Sequence, residues 1–208
     1  MQHVILYFYW SLQKEILLSN WIQTYTGLKF DIDNLNTDMI SIKDIAHALS
    51  LNCRYNGHCK QFYSVAEHCV LMSENVPSEF ALDALLHDAA EAYLTDIPGP
   101  FKHLIKGFKE LEEKVLRVIY DNFKLPFPKR STLSIIKQAD LIFLKIEQRD
   151  AMSIPPEKWG CLNGVEIWPE FGALEFWKPL YAERYFLDAF YTLTKEVNND
   201  TSITAAKF

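Results

Sequence analysis

Leu85-Leu86-His87-Asp88-Ala89-Ala90-Glu91-Ala92-Tyr93-Leu94-Thr95-Asp96-Ile97-Pro98 reads as an apolar helix into which four ionisable groups have been set. Ser78 is placed to cap it, and Phe80, Leu82, Ala84, Leu85, Leu86 and Ala89 suggest burial on more than one face. Pro98 ends it, because the residue before a proline is pushed out of helical conformation. Ionisable side chains cost free energy among leucines and alanines unless they are paired or bound to metal, so their presence needs a reason. Glu91 lies four residues beyond His87 and three beyond Asp88, which brings the three close together on or near one face.

Helical periodicity continues on both sides of this run. Ser41 can cap a helix with Ile45, Ala46 and Leu49 on its apolar side and Asp44 near its positive end. A second helix starts after Ser64, with Val65, Cys69 and Met72 on one side, and ends near Val76. Beyond the rigid turn Ile97-Pro98-Gly99-Pro100, one helix runs through Phe108, Leu111, Val115 and Ile119, another spans Thr132 to Met152, and a last one runs from Leu174 to Val197. Thr24 to Asp38 is an extended or turning lead-in, and Arg54 to Gln61 is a loop. The stretch 153–173, with its prolines and glycines, is irregular but carries Trp159, Trp168 and Phe171, which argue for order. These features predict an all-α, single-domain helical bundle. Residues 1–20 form an N-terminal extension, 21–197 the domain and 198–208 a flexible tail.

Composition narrows the function. A net charge of -6 offers no general cationic surface, so nucleic-acid binding is disfavoured, although a few local cations can hold a small anion. The apolar segment Val4 to Trp10 is too short to span a bilayer and has no basic residues before it, so neither a membrane span nor an export signal is expected. Cys53, Cys59, Cys69 and Cys161 form no Cys-x-x-Cys pair and no evenly stapled framework, which fits a reducing cytoplasm.

His87 alone is readily read as a hydrogen-bonded core histidine. Two further residues change that balance. His68 sits in Val65-Ala66-Glu67-His68-Cys69-Val70, and Asp140 in Ile136-Lys137-Gln138-Ala139-Asp140-Leu141-Ile142-Phe143, each a polar residue in an apolar helical setting. With His87 and Asp88 they make two imidazoles and two carboxylates, a set suited to Mn, Co, Ni, Fe or Zn rather than to Ca or Mg. Such a shell can leave positions for water and substrate.

The order His, then His-Asp, then a distant Asp resembles the HD-domain phosphohydrolases from about Trp21 onward. More narrowly, Arg54, Ala66-Glu67-His68, His87-Asp88-x-x-Glu91-x-x-x-x-Asp96 and Ile97-Pro98-x-Pro100-x-Lys102 resemble the bacterial 5'-deoxynucleotidases and the phage dATP triphosphohydrolases. The resemblance implies an HD-type bundle holding a divalent cation on His68, His87, Asp88 and Asp140. It implies Glu91 as general acid/base, Asp96 as a positioner of water or sugar, and Arg54 and Lys102 as phosphate holders. Tyr55 stands where the deoxynucleotidases usually carry Trp, which alters any stacking on base or sugar. The implied reaction is cleavage at the 5' phosphate of a deoxynucleotide, mono- or triphosphate, in a homo-oligomer. Two alternatives are a guanosine tetraphosphate hydrolase, disfavoured because Ala92 rather than Asp follows Glu91, and a non-catalytic nucleotide-binding module. Arg54 and Lys102 also admit a plain reading as solvated surface cations.

Overall fold

Ser41 and Ser64 each start a helix in the way the sequence suggests. The Ser41 hydroxyl accepts from the Lys43 amide (3.3 Å) at the head of α1, Ile42–Leu51, and the Ser64 hydroxyl accepts from the Glu67 amide (3.0 Å) at the head of α2, Val65–Asn75. The computed structural model describes residues 20–205, with side chains to residue 195. The expected extension therefore lies outside the described residues except for Asn20. The lead-in is a hairpin of β1, Trp21–Gln23, and β2, Lys29–Asp31, paired antiparallel with Ile22 opposite Phe30, followed by two short 3-10 turns.

The long central helix expected between Ser78 and Pro98 is in fact segmented. A 3-10 turn at Ser78–Phe80 leads into α3, Ala81–Leu86; a run of turns over 87–90 follows, and then α4, Glu91–Leu94. His87 supplies a physical cause. Its Nδ1 lies 2.7 Å from the Ala84 carbonyl, in competition with the Asp88 amide for that acceptor in a regular helix. The backbone tightens instead, with Ala89 N–H donating to Leu86 O and Glu91 N–H to Asp88 O, three residues apart. Thr95 then adopts a left-handed conformation (φ 71°), which ends α4 before Pro98. The turn at Pro98 contains one short helical segment, α5, Gly99–Lys102.

α6, Phe108–Asn122, starts with the expected run and ends three residues beyond Ile119, and α7, Arg130–Asp150, lies within two residues of the expected helix at each end. α8, Pro179–Ala205, begins five residues later than expected and continues past Val197 into the stretch expected as a tail. Proline is well suited to its first turn. Residues 174–178 stay extended or turned because Glu67, buried at the first turn of α2, takes the backbone amides of Phe176 (3.0 Å) and Trp177 (2.8 Å). Phe176 itself has φ 57°. Glu67 thus ties the end of the 153–173 stretch to the helix that carries His68.

The architecture is all-α apart from the hairpin, a single domain with two packed clusters. One gathers Ile45, Leu49, Val65, Leu86, Ile119 and Phe186 from α1, α2, α3, α6 and α8. The other gathers Tyr63, Met72, Ala84, Ile136, Phe143 and Ile146, and Phe143 meets Trp168 and Phe171 edge-on at 5.6 and 5.3 Å. α2 and α3 contribute to both clusters, so polar groups on them sit on the seam. The irregular stretch is packed rather than loose, as its aromatic content suggested. Among the described residues, no helix is long and apolar enough to cross a membrane.

Phe186 is fully buried on α8, where that helix packs on α1 and α2. Phe186→Ala is expected to lower stability by about 3–5 kcal/mol through lost burial and the cavity left behind. A denaturant titration of the variant against wild type reads this directly.

Candidate metal centre

His68 is fully buried on α2, and its two ring nitrogens have different neighbours. Nδ1 lies 2.7 Å from Glu147 Oε1, so it carries the proton and donates to that carboxylate. Nε2 then presents a lone pair, is buried without a hydrogen-bond partner, and faces Asp140 Oδ1 at 3.6 Å and Asp88 Oδ2 at 3.9 Å. His87 repeats the pattern. Its Nδ1 donates to the Ala84 carbonyl, and its buried Nε2 lies 3.1 Å from Asp88 Oδ2, likewise without a hydrogen-bond partner.

Three helical regions therefore bring together the four side chains picked out in the sequence: His68 from α2, His87 and Asp88 from the turns after α3, and Asp140 from α7. Donor atoms of His68, His87 and Asp140 all lie within 4.8 Å of one another. Ligands ~2.0–2.2 Å from a shared ion stand about 3–4 Å apart, close to the spacing of these atoms. Lone pairs aimed at carboxylate oxygens repel unless a proton or a cation lies between them. Burial resists charge on His87, yet Asp88 outweighs it and holds the imidazole well above its ordinary pKa. The field that would draw a proton there would also draw a divalent cation. Burial likewise works against ionised Asp88, but His87, His68 and Arg54 keep its carboxyl far below the usual carboxylate range.

Glu147, which the sequence reading passed over, organises the floor of this site. It is fully buried; Oε1 takes His68, while Oε2 takes the Arg54 guanidinium at 3.0 Å and the Tyr55 hydroxyl in a short hydrogen bond. Burial opposes its ionisation, but Arg54 and His68 pull its pKa down to about 2. A carboxylate behind a histidine fixes the tautomer and raises the basicity of the exposed nitrogen, the usual support for a metal-ligating imidazole. A signal was present: Glu147 stands seven residues after Asp140, two turns along the same side of α7.

Arg54 and Tyr55 are held inward rather than projecting freely. Arg54 is almost completely buried, with one terminal nitrogen on Glu147 and the other 3.6 Å from Asp88 Oδ2. Tyr55 follows in a left-handed conformation (φ 56°), as do Asn56 (φ 52°) and Gly57 (φ 77°). Two consecutive non-glycine residues in this region mark stored strain, held here by the Glu147 contacts and by the Cys59 thiol donating to the Arg54 carbonyl (3.2 Å).

Glu91, at the head of α4, is close enough to feel the charges of Asp88 and Asp96. One carboxylate oxygen takes Lys102 Nζ at 2.8 Å; the other is buried with no partner. Burial, reinforced by Asp88 and Asp96, pushes its carboxyl well above the ordinary range despite Lys102. Lys102 is shared with Glu112 on α6, also at 2.8 Å. Asp96 is near enough to feel Arg54, Asp88 and Lys102, and burial raises its pKa. Glu91 also lines an open pocket of about 340 Å³, with Ala48, Asn52, Tyr93 and Thr95. His47 stands apart from the centre, bonded to Glu183 of α8 (3.1 Å) and stacked on Tyr25. The four cysteines are all free, and the buried Cys69 sulfur lies 4.0 Å from His87 Nδ1.

No family model matches the chain. An uncharacterized protein of Rhodobacter capsulatus is 33% identical over 138 residues, covering 61% of this chain and 70% of its own length. The uncharacterized protein YfdR of Escherichia coli K12 is 43% identical over 176 residues, covering 85% of this chain and 97% of YfdR. With that identity sustained over almost all of the relative, the chain belongs to the same family as YfdR.

Proposed function

We propose that this chain is a metal-dependent phosphohydrolase that cleaves the 5' phosphate ester of a deoxynucleotide and releases the deoxynucleoside. The observation that carries the reading is the pair of buried, unpartnered imidazole nitrogens, His68 Nε2 and His87 Nε2, aimed at the carboxylates of Asp88 and Asp140. The motif order from His68 to Asp140 and its resemblance to the HD-domain phosphohydrolases supply the reaction class; the chemistry of the donors supplies the metal class, Mn, Co, Ni, Fe or Zn. A divalent cation on these four residues would supply Lewis acidity, polarising a phosphoryl oxygen and making water a better nucleophile near neutral pH.

The chain's own groups divide the remaining work. Glu91, with one oxygen unpartnered and its carboxyl raised, is suited to hold and pass a proton during hydrolysis. Water oxygen bonds to phosphorus, the bond from phosphorus to the 5' oxygen breaks, and a proton ends on that oxygen. A monophosphate gives phosphate and a triphosphate gives triphosphate as the second product. Arg54, beside Asp88, and Lys102, beside Glu91, are the cations that would hold the phosphate, and Lys137, beside Asp140, is a third cation at the site. Asp96 borders the same space and would orient water or sugar. Tyr55, anchored on Glu147, offers a ring at the edge of the site, 6.1 Å from Trp159.

Three measurements test this reading. Elemental analysis after exposure to Mn, Co, Ni, Fe or Zn should find about one ion per chain in wild type and none in His87→Ala or Asp88→Ala, both of which should lose turnover. Glu91→Ala should keep the ion and slow hydrolysis about 10²- to 10⁴-fold. Glu147→Gln should weaken metal binding about 10- to 100-fold, as expected for a carboxylate that supports a ligating histidine. All rates are read on a panel of deoxy- and ribonucleoside mono-, di- and triphosphates with products separated by chromatography; a panel with no phosphate or triphosphate released in any metal would overturn the proposal.

A further inference from the structure

Over residues 99–107 the chain runs along the surface, and Lys102 is the one residue there that is not exposed. Phe101 is 57% exposed, Leu104 71% and Ile105 44%, so the segment has little apolar packing of its own. Its backbone hydrogen bonds are local: the amides of Phe101 and Lys102 donate to the Pro98 carbonyl, that of Leu104 to Phe101 and that of Ile105 to Lys102. Gly107, at φ 81°, then turns the chain into α6. Among the described residues, only the Lys102 ammonium bonds beyond this neighbourhood, to Glu91 and to Glu112 at 2.8 Å each. The placement of the whole stretch rests on one side chain.

Glu112 occupies an unusual position for a carboxylate. Phe108, Val115 and Ile119 form the buried stripe of α6, and Glu112, four residues after Phe108 and three before Val115, stands in the same row. Glu113, by contrast, is 53% exposed and paired with Arg117 one turn on. A charge in an apolar row is costly unless it is paired. Lys102 is that pair, and α6, packed through its stripe, is the fixed body to which it is tied. An ammonium has three donors. Glu91 and Glu112 take one each, which fixes the rotation of the group and leaves the third for a further acceptor. Burial works against the charge on Lys102, but Glu91 and Glu112 outweigh it and hold its pKa above the ordinary lysine value. The two carboxylates are not equivalent. Glu91 is the group that passes a proton in the proposed reaction, so its charge changes during turnover, whereas Glu112 has no such task and holds Lys102 throughout.

We propose that Glu112 is a positioning residue: it ties the segment 99–107 to α6 through Lys102, so that the third ammonium donor is already placed for the phosphate when a nucleotide arrives. Its part in phosphate binding rests on the phosphohydrolase reading; its tie to the segment does not.

Glu112→Leu, a side chain of similar size that suits the apolar row, tests both parts. Amide hydrogen exchange over 99–107 is expected to be about tenfold or more faster than in wild type, with α6 unchanged. Lys102→Met, which cuts the same tie from the other end, should give the same acceleration, and adding Glu112→Leu to it should change nothing further. On whichever nucleotide wild type hydrolyses best, Glu112→Leu should raise KM about tenfold with kcat within about threefold, and that rise should be absent in the Lys102→Met background. Glu113→Gln, on the outer face, should match wild type in both measurements. Unchanged exchange over 99–107 in Glu112→Leu, or a KM effect that persists in full in the Lys102→Met background, would refute the assignment. A wild type that hydrolyses no nucleotide, with exchange still accelerated in Glu112→Leu, would remove the phosphate role together with the phosphohydrolase reading and leave the tie standing.

Discussion

A fully buried carboxylate is among the least favourable groups to place inside a protein unless every oxygen is engaged. Glu147 meets that condition with three donors from two distant parts of the chain: His68 of α2, and Arg54 and Tyr55 of the loop after α1. The arrangement binds three elements at one point. It fixes which nitrogen of His68 is free, and it holds Arg54 against Asp88. It also holds the left-handed Tyr55 and Asn56, a backbone choice costing about 1–3 kcal/mol per residue that survives only where surrounding contacts over-determine it. Removing the carboxylate would strand Arg54 as a buried charge and leave the His68 tautomer undetermined.

The break in the central helix obeys a related logic. Had 81–94 continued as one regular helix, the Ala84 carbonyl would belong to the Asp88 amide and His87 Nδ1 would need another partner. With His87 taking that carbonyl, the helix tightens over 87–90 and Nε2 is left buried without a hydrogen-bond partner. Irregular backbone and ligand readiness are two results of one hydrogen bond. The left-handed Thr95 closes the segment, so Glu91 lies between two departures from regular helix.

How much of this was readable from residue order depends on the range of the interactions involved. The caps at Ser41 and Ser64 are local, and so is the apolar period of α1, α2, α6 and α7; these helices stand where pattern places them. The donors His68, His87, Asp88 and Asp140 were visible because polar residues in apolar runs stand out. Glu147 was missed because Glu147-Gln148-Arg149-Asp150 looks like the solvated end of a helix, and only its seven-residue step from Asp140 puts it on the inner side. The segmentation at His87 and the late start of α8 at Pro179 depend on hydrogen bonds of particular side chains, His87 to a carbonyl and Glu67 to the amides of Phe176 and Trp177. Apolar periodicity carries no trace of either.

Charge explains why these parts require one another. Asp88, Asp140, Glu91, Asp96 and Glu147 crowd a region whose cations are Arg54, Lys137, which lies 2.7 Å from Asp140, and Lys102, which is divided between Glu91 and Glu112. In a partly buried setting, where interactions between charges are several-fold stronger than in water, such an excess of carboxylates would repel a phosphate rather than admit it. On the proposed reading, a divalent cation held there would satisfy the unpartnered nitrogens of His68 and His87 and offset the carboxylates, and the same change of sign would let the site accept an anion.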